Sequence, residues 1–260
     1  MRDEVKRLVK LAVVTLTLIW ISLAGSSAVG PDTLLAGASQ SNSIADSYWL
    51  VGSDGGVFSF GDAHFYGSLG GEHLNAPIVG ITATPDGKGY WLVASDGGVF
   101  SFGDAHFHGS LGGDHLNAPI SGIAATPGGG GYYLSGQDGG IFSFGDASFY
   151  GSFVQGAFPF WTGTPEVIGI SLFTGAPPIQ PGYYVIASNG QTASFEPGPP
   201  QPNFYVSPPL SLNGPAVGFS AELIVTATGL VTSLSTQENF PGLVGQPLNA
   251  PVVGICSFLV

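Results

Sequence analysis

After Lys10 the sequence has almost no positive charge: Lys88 alone faces 15 carboxylates, and no arginine follows Arg7. A surface without guanidinium groups cannot neutralise a run of phosphates or clasp guanine with paired donors, which argues against nucleic acid as a partner. Anionic lipid surfaces are disfavoured on the same ground, so the partners expected are neutral or cationic. Cysteine is nearly as scarce. Cys256 is the only one and lies in an apolar run, VVGICSF, where a free thiol behaves as a small hydrophobe. One thiol builds no disulfide framework, so the chain has to be held by its core, for which its length is ample. The motifs of several common chemistries are missing too: the sequence holds no HExxH, no phosphate-binding loop, no dinucleotide fingerprint after a strand, no GxSxG elbow and no DxDxDG calcium loop.

Residues 1–28 read as a secretory signal. The segment from Met1 to Lys10 holds four of the five basic residues, and the apolar run from Leu11 to about Ala24 is short for a membrane span. Ser26-Ser27-Ala28 supplies the small side chains that a signal peptidase reads, so cleavage after Ala28 is expected, with an uncleaved anchor as the alternative. The mature chain is then expected to be secreted or held at the cell surface, free of the membrane and monomeric. Residues 29–47, rich in Ser, Ala and Gly, read as a flexible leader, and 48–260 as the structured domain.

What the sequence does contain is a repeat. Tyr48 to Gly89 returns as Tyr90 to Gly131 with 7 differences in 42 positions, then fades through units at Tyr132, Tyr183 and Glu222. Each unit carries four short strand patterns, in the second unit Ile78 to Thr84, Tyr90 to Ser95, Val99 to Phe102 and Phe107 to Ser110. Asp-Gly between apolar runs, at Asp54-Gly55, Asp96-Gly97 and Asp138-Gly139, predicts tight hairpins of type I′. A sheet of this size buries both faces only when neighbouring sheets stack on it, and a period near 42 residues is that of a propeller blade. Inner-strand patterns occur five times, at Ile78, Ile120, Val167, Ala216 and Val252. The expectation is an all-β, five-bladed β-propeller of about 42-residue, four-stranded blades, its ring closed by the C-terminal strand completing the first blade. Phe58 and Phe60, Phe100 and Phe102, and Phe142 and Phe144 are two apart and so share a sheet face, where they are expected to form core between blades together with Tyr48-Trp49, Tyr90-Trp91, Tyr132-Tyr133 and Tyr183-Tyr184. Pro-rich insertions at Pro177 to Pro181 and Pro197 to Pro202 lengthen connections in the fourth unit.

The string YWLVASDGGVFSFGDAHFHGSLGGDHLNAPISGIAATP resembles the YWLVASDGG-type propeller repeats of exported actinobacterial proteins, which occur alone or beside cell-wall hydrolase and other catalytic domains. The resemblance is close over Tyr48 to about Gly151 and implies an interaction module whose ligand is unassigned. Kelch repeats and those of the chromosome-condensation-regulator type are more distant: the Tyr and Trp of the former and the Trp-Gly pairing of the latter are missing here.

Two sets of carboxylates are separated by topology. Asp62, Asp104 and Asp146 of the FGDA turns fall with Lys88 at one end of the sheets and are expected to satisfy their own backbone; His64 and His106 are expected to be exposed at the outer edge. The opposite end gathers Asp54, Asp96 and Asp138 from the hairpins with Glu72-His73 and Asp114-His115 from the loops between units. Acid and histidine pairs on neighbouring loops supply oxygen and nitrogen donors for hydroxyl-rich ligands such as glycans, or for a divalent metal. The ligand-binding candidates are therefore Asp54, Glu72, His73, Asp96, Asp114 and His115, without a cofactor. No catalytic residue is assigned, because the inner strands hold no acid and only Glu166 and Glu222 border them, whereas glycoside hydrolysis needs two carboxylic acids about 5 to 10 Å apart. A binding module of an exported protein is the leading reading, and a hydrolase whose site lies on the rim loops is the alternative. Asn75, Asn117 and Asn249 of LNAP, with Asn213 of LNGP, are expected to shape the turns into the inner strands.

Overall fold

The computed structural model describes residues 47–152, 166–173, 182–188, 191–195, 216–220, 223–226, 231–233, 239–240 and 248–257. The expected signal, nearly all of the leader, both Pro-rich insertions and Glu222 lie outside them. The described residues are all-β. Their first hairpin is β1 (Tyr48–Gly52) with β2 (Val57–Phe60), followed by β3 (Ile78–Ala83), β4 (Gly89–Ala94) and β5 (Val99–Gly103) in one antiparallel sheet, and by β6 (Ile120–Ala125), β7 (Gly131–Gly136) and β8 (Ile141–Gly145) in the next. The fourth sheet is β9 (Val167–Phe173), β10 (Gly182–Ala187) and β11 (Thr192–Phe195); the fifth, four-stranded, runs β12 (Ala216–Ser220), β13 (Leu223–Thr226), β14 (Val231–Ser233) and β15 (Asn239–Phe240). The last strand, β16 (Val252–Ser257), pairs antiparallel with β1, Trp49 opposite Cys256 and Leu50 opposite Ile255, so the first sheet is ordered β16-β1-β2.

The middle strands explain why the sheets stack. YWLV alternates nowhere, and β1, β4 and β7 are buried along their whole length, as a strand covered on both faces requires. Trp49, Tyr90, Ile78 and Cys256 meet in one apolar cluster, Trp91, Tyr132 and Ile120 in a second, and Tyr133, Tyr183, Val167 and Phe195 in a third, each joining one sheet to the next. Burial pushes the Cys256 thiol far above its ordinary pKa, so it stays a neutral apolar filler. Of the phenylalanine pairs, Phe100, Phe102, Phe142 and Phe144 pack against these clusters and Phe60 stacks on Tyr48, but Phe58 is 36% exposed.

Glycine lets the inner strands converge. Strands β3, β6, β9 and β16 each carry Gly at the third position, and β12 repeats it at Gly218. A Cβ on Gly122 would lie 2.9 Å from the Cα of Gly169, and one on Gly254 would lie 3.3 Å from the Cα of Gly80. The inner strands are neighbours in the order β16, β3, β6, β9, β12, and β12 also lies against β16.

Two expectations need correction. Phe107 to Ser110 is not a fourth strand: it is irregular, as are 65–68 and 149–152. Its backbone is taken up by the following repeat, where the Tyr132 hydroxyl accepts from His108 N and donates to Gly109 O. The hairpin turns are also one residue longer than type I′. Gly55 N donates to Gly52 O and Gly52 N to Gly56 O, both at 2.9 Å, with Gly55 at φ 79, the pattern of a three-residue loop ending in a left-handed glycine. Asp54 Oδ1 accepts from Gly56 N at 3.0 Å, which stabilises this longer form.

Candidate functional site

The hairpin turns and the loops between sheets do lie at the same end, held there by backbone hydrogen bonds. Leu69 N donates to Gly55 O and Leu111 N to Gly97 O, each at 2.9 Å, tying the loop after one sheet to that sheet's own hairpin. The residue after each middle strand then links two sheets: Ser95 N donates to Pro77 O while its carbonyl accepts from Ile120 N, and Gln137 does the same between Pro119 and Val167. Ser53 repeats the pattern between Pro251 and Ile78. The frame under the loops is therefore rigid.

On this frame the candidate residues divide into two kinds. Asp54, Asp96 and Asp138 are half-buried, and each spends one carboxylate oxygen on the glycine amide two residues on, at 3.0 Å. They are turn formers first. Glu72, His73, Asp114 and His115 are exposed, and His115 Nδ1 approaches Leu116 O at 3.2 Å. Within the described residues no three His, Cys, Asp or Glu side chains gather in a set that could hold a metal. Asn75, Asn117 and Asn249 are exposed at the turns that lead into the inner strands. Glu166, exposed, stands just before β9, where its carbonyl accepts from Ser188 N.

The opposite end is more individual than near-identical repeats suggest. Trp49 Nε1 donates to His64 O and Trp91 Nε1 to His106 O, at 2.8 and 2.7 Å, and both histidines are exposed. Where the repeats differ as Tyr66 and His108, both side chains still reach the next turn, at Gly87 O and Gly129 O. The difference between TPDGKG at 84–89 and TPGGGG at 126–131 changes more. In the first turn Thr84 Oγ1 donates to Asp86 Oδ1, and Asp86 also takes Lys88 Nζ at 3.0 Å, which holds its carboxyl down at about 2. In the second, with Gly128 in place of that aspartate, Thr126 Oγ1 donates instead to Asp146 Oδ1 at 2.7 Å. The carboxylate of Asp104, which matches Asp146, is left without a hydrogen-bond partner among the described residues. A cleft of about 280 Å³ opens here, lined by Thr84, Pro85, Asp86, Trp91, Asp104, His106, Gly128 and Gly129. The FGDA pattern alone marks Asp104 as a turn former and His106 as an edge residue, so the cleft is not legible from it; its signal in the sequence is the exchange of Asp86 and Lys88 for Gly128 and Gly130 between otherwise matching repeats.

Fold and sites together define an all-β repeat protein whose antiparallel sheets pack face to face and carry their polar groups on the turns at both ends. No protein-family model matches the sequence, and no curated protein matches it. Among solved structures, a chain of a nidogen/laminin complex is similar over 82% of this chain and 98% of its own, at 10% identity and a TM-score of 0.48. The WD40 domain of SCAP from fission yeast aligns over 70% of this chain and 43% of its own, at 15% identity and a TM-score of 0.37. The Cps50 (Swd1) β-propeller domain of Myceliophteria thermophila aligns over 69% and 58%, at 13% identity and a TM-score of 0.35.

Proposed function

We propose that the chain is an exported five-bladed β-propeller that acts as a binding module, and that the end bearing Glu72, His73, Asp114 and His115 takes a neutral, hydroxyl-rich ligand such as a glycan. Export rests on the basic start, the short apolar run and Ser26-Ser27-Ala28. Five sheets whose inner strands are mutual neighbours, with β16 paired to β1, support the closed ring. One observation carries the binding reading. Two equivalent loops are fixed to their hairpins by the same backbone bond, yet each presents an acid and a histidine that the fold leaves exposed. Display of largely unspent polar groups on loops fixed by backbone hydrogen bonds is what a recognition surface needs, because little loop entropy remains to be lost on binding. Carboxylates accept from sugar hydroxyls and imidazoles can donate or accept, while the deficit of positive charge argues against anionic glycans.

A glycan array probed with the mature protein, with and without a divalent cation, tests this. Binding to one or a few neutral glycans is expected, and His73→Ala with His115→Ala should abolish it while the melting temperature stays nearly constant, since exposed loop side chains contribute little to stability. Binding that survives the double replacement at full strength places the ligand elsewhere.

A further inference from the structure

We propose that the cleft between Asp86, Trp91, Asp104, His106 and Gly128, at the opposite end from the acid and histidine loops, is a second site, for a primary amine or guanidinium on a short aliphatic stem. The inference is independent of the glycan reading. Its first ground is shape. A cleft of about 280 Å³ approaches the size of pockets that hold small ligands, and Gly128, one of its lining residues, stands where the preceding repeat has Asp86.

The second ground is charge. Lys88 is paired with Asp86, and Thr84 also serves that carboxylate; Lys88 feels Asp104 as well, more weakly, so one cation faces two carboxylates and a net negative charge remains. Asp104 remains as an anion with no hydrogen-bond donor among the described residues, its backbone fixed by the bond from its own N to Lys88 O at 3.1 Å. A carboxylate on a fixed turn is complementary to a cationic donor, and charge-assisted hydrogen bonds are about twice as strong as neutral ones. The third ground is the wall. The Trp91 indole is fully buried in the packing, its N–H fixed on His106 O, and it lines the cleft with Pro85. The exposed Pro85 ring suits the methylene stem, while the indole beneath is sealed from solvent and is coupled to the cleft through its N–H bond to His106. An anion is repelled by Asp104, and a neutral sugar gains only an ordinary hydrogen bond from that carboxylate where a cation gains a charge-assisted one.

The test is an NMR titration of the mature protein with butylamine, butylguanidine, an acetylated and amidated Gly-Lys-Gly peptide, and methyl glucoside as the neutral comparator. The cations are expected to shift the Trp91 indole N–H signal saturably, and the glucoside is not. Asp104→Asn should weaken cation binding by about tenfold or more, whereas Asp62→Asn, the matching change in the first repeat, should leave it unchanged. A stronger response to the peptide assigns the cation to a partner chain and a stronger response to butylamine to a free small molecule; either supports the site. No saturable shift with any cation, equal affinity in the Asp104→Asn variant, or a matching response to methyl glucoside overturns the proposal.

Discussion

At the scale of single residues, one phenol in each of three successive repeats does what a fourth strand was expected to do. Tyr90 accepts from Tyr66 N and donates to Gly67 O, and Tyr132 and Tyr183 make the same pair of bonds to 108–109 and 150–151. A hydroxyl that accepts and donates at once has to stay protonated, because a phenolate can no longer donate. Burial pushes Tyr90, Tyr183, Tyr48 and Tyr133 up to about 12, and Tyr132 in the same direction. In the unfolded chain these phenols ionise near 10. Below that pH both states keep the proton and the buried phenols do not make stability pH-dependent. Between about 10 and 12 the unfolded chain loses protons that the folded one retains, so stability falls as pH rises, by on the order of 2 kcal/mol for each strongly shifted phenol. Several such phenols act in the same direction, against a typical domain margin of about 5 to 15 kcal/mol. An alkaline titration should therefore show the buried tyrosines ionising together with loss of the far-ultraviolet dichroism. Ionisation of all of them near pH 10 with the fold intact would contradict the buried placement.

At the scale of strands, legibility followed what a side chain does to its own neighbours. The short apolar runs and the Asp-Gly hairpins set β3, β4 and β5 to within a residue or two, because burial and turn chemistry are local. The role of the inner-strand glycine was not legible in the same way, since Gly80 and Gly122 look like ordinary strand glycines until the neighbouring backbone is known. The irregular path of Phe107 to Ser110 was hidden for the same reason: its partner, Tyr132, lies in the next repeat. Loop placement was readable from strand order, so the exposed acid and histidine pairs were found, while the cleft at Asp104 depends on which hydrogen-bond partner Thr84 chooses. The glycine contact gives a direct test. A Cβ on Gly122 meets backbone on the next sheet, 2.9 Å from Gly169 Cα and 3.1 Å from Ile170 N, where no rotamer change can make room. Gly122→Ala should cost about 1 to 3 kcal/mol, the range of overpacked cores. Gly113→Ala is the comparison, because nothing lies within 4 Å of its Cβ and only its φ of +95° opposes the change, a penalty of about 1 kcal/mol. Urea denaturation should show the larger loss for Gly122→Ala; the reverse order would mean that the inner strands have freedom to move apart.

At the scale of the molecule, the proposed ring depends on a contact between the two ends of the described chain. Strand β1 is covered on one edge by β2 and on the other by β16, with Trp49, Leu50 and Val51 fully buried. Without β16 the first sheet keeps a two-stranded hairpin, which is marginal by itself in water, and the Trp49 cluster loses Cys256 and Val253. The exposed edge of β1 would also offer its unpaired backbone groups to another chain. Neighbouring sheets share the loss, because β16 lies against both β3 and β12. Deletion of 250–260 is therefore expected to unfold the protein or drive it into aggregates, where removal of a terminal strand from an open stack would cost only the end unit. Thermal melting by circular dichroism together with gel filtration distinguishes the two. A monomeric truncated protein that melts cooperatively near the temperature of the full chain would eliminate the closed ring and leave an open stack of sheets in its place.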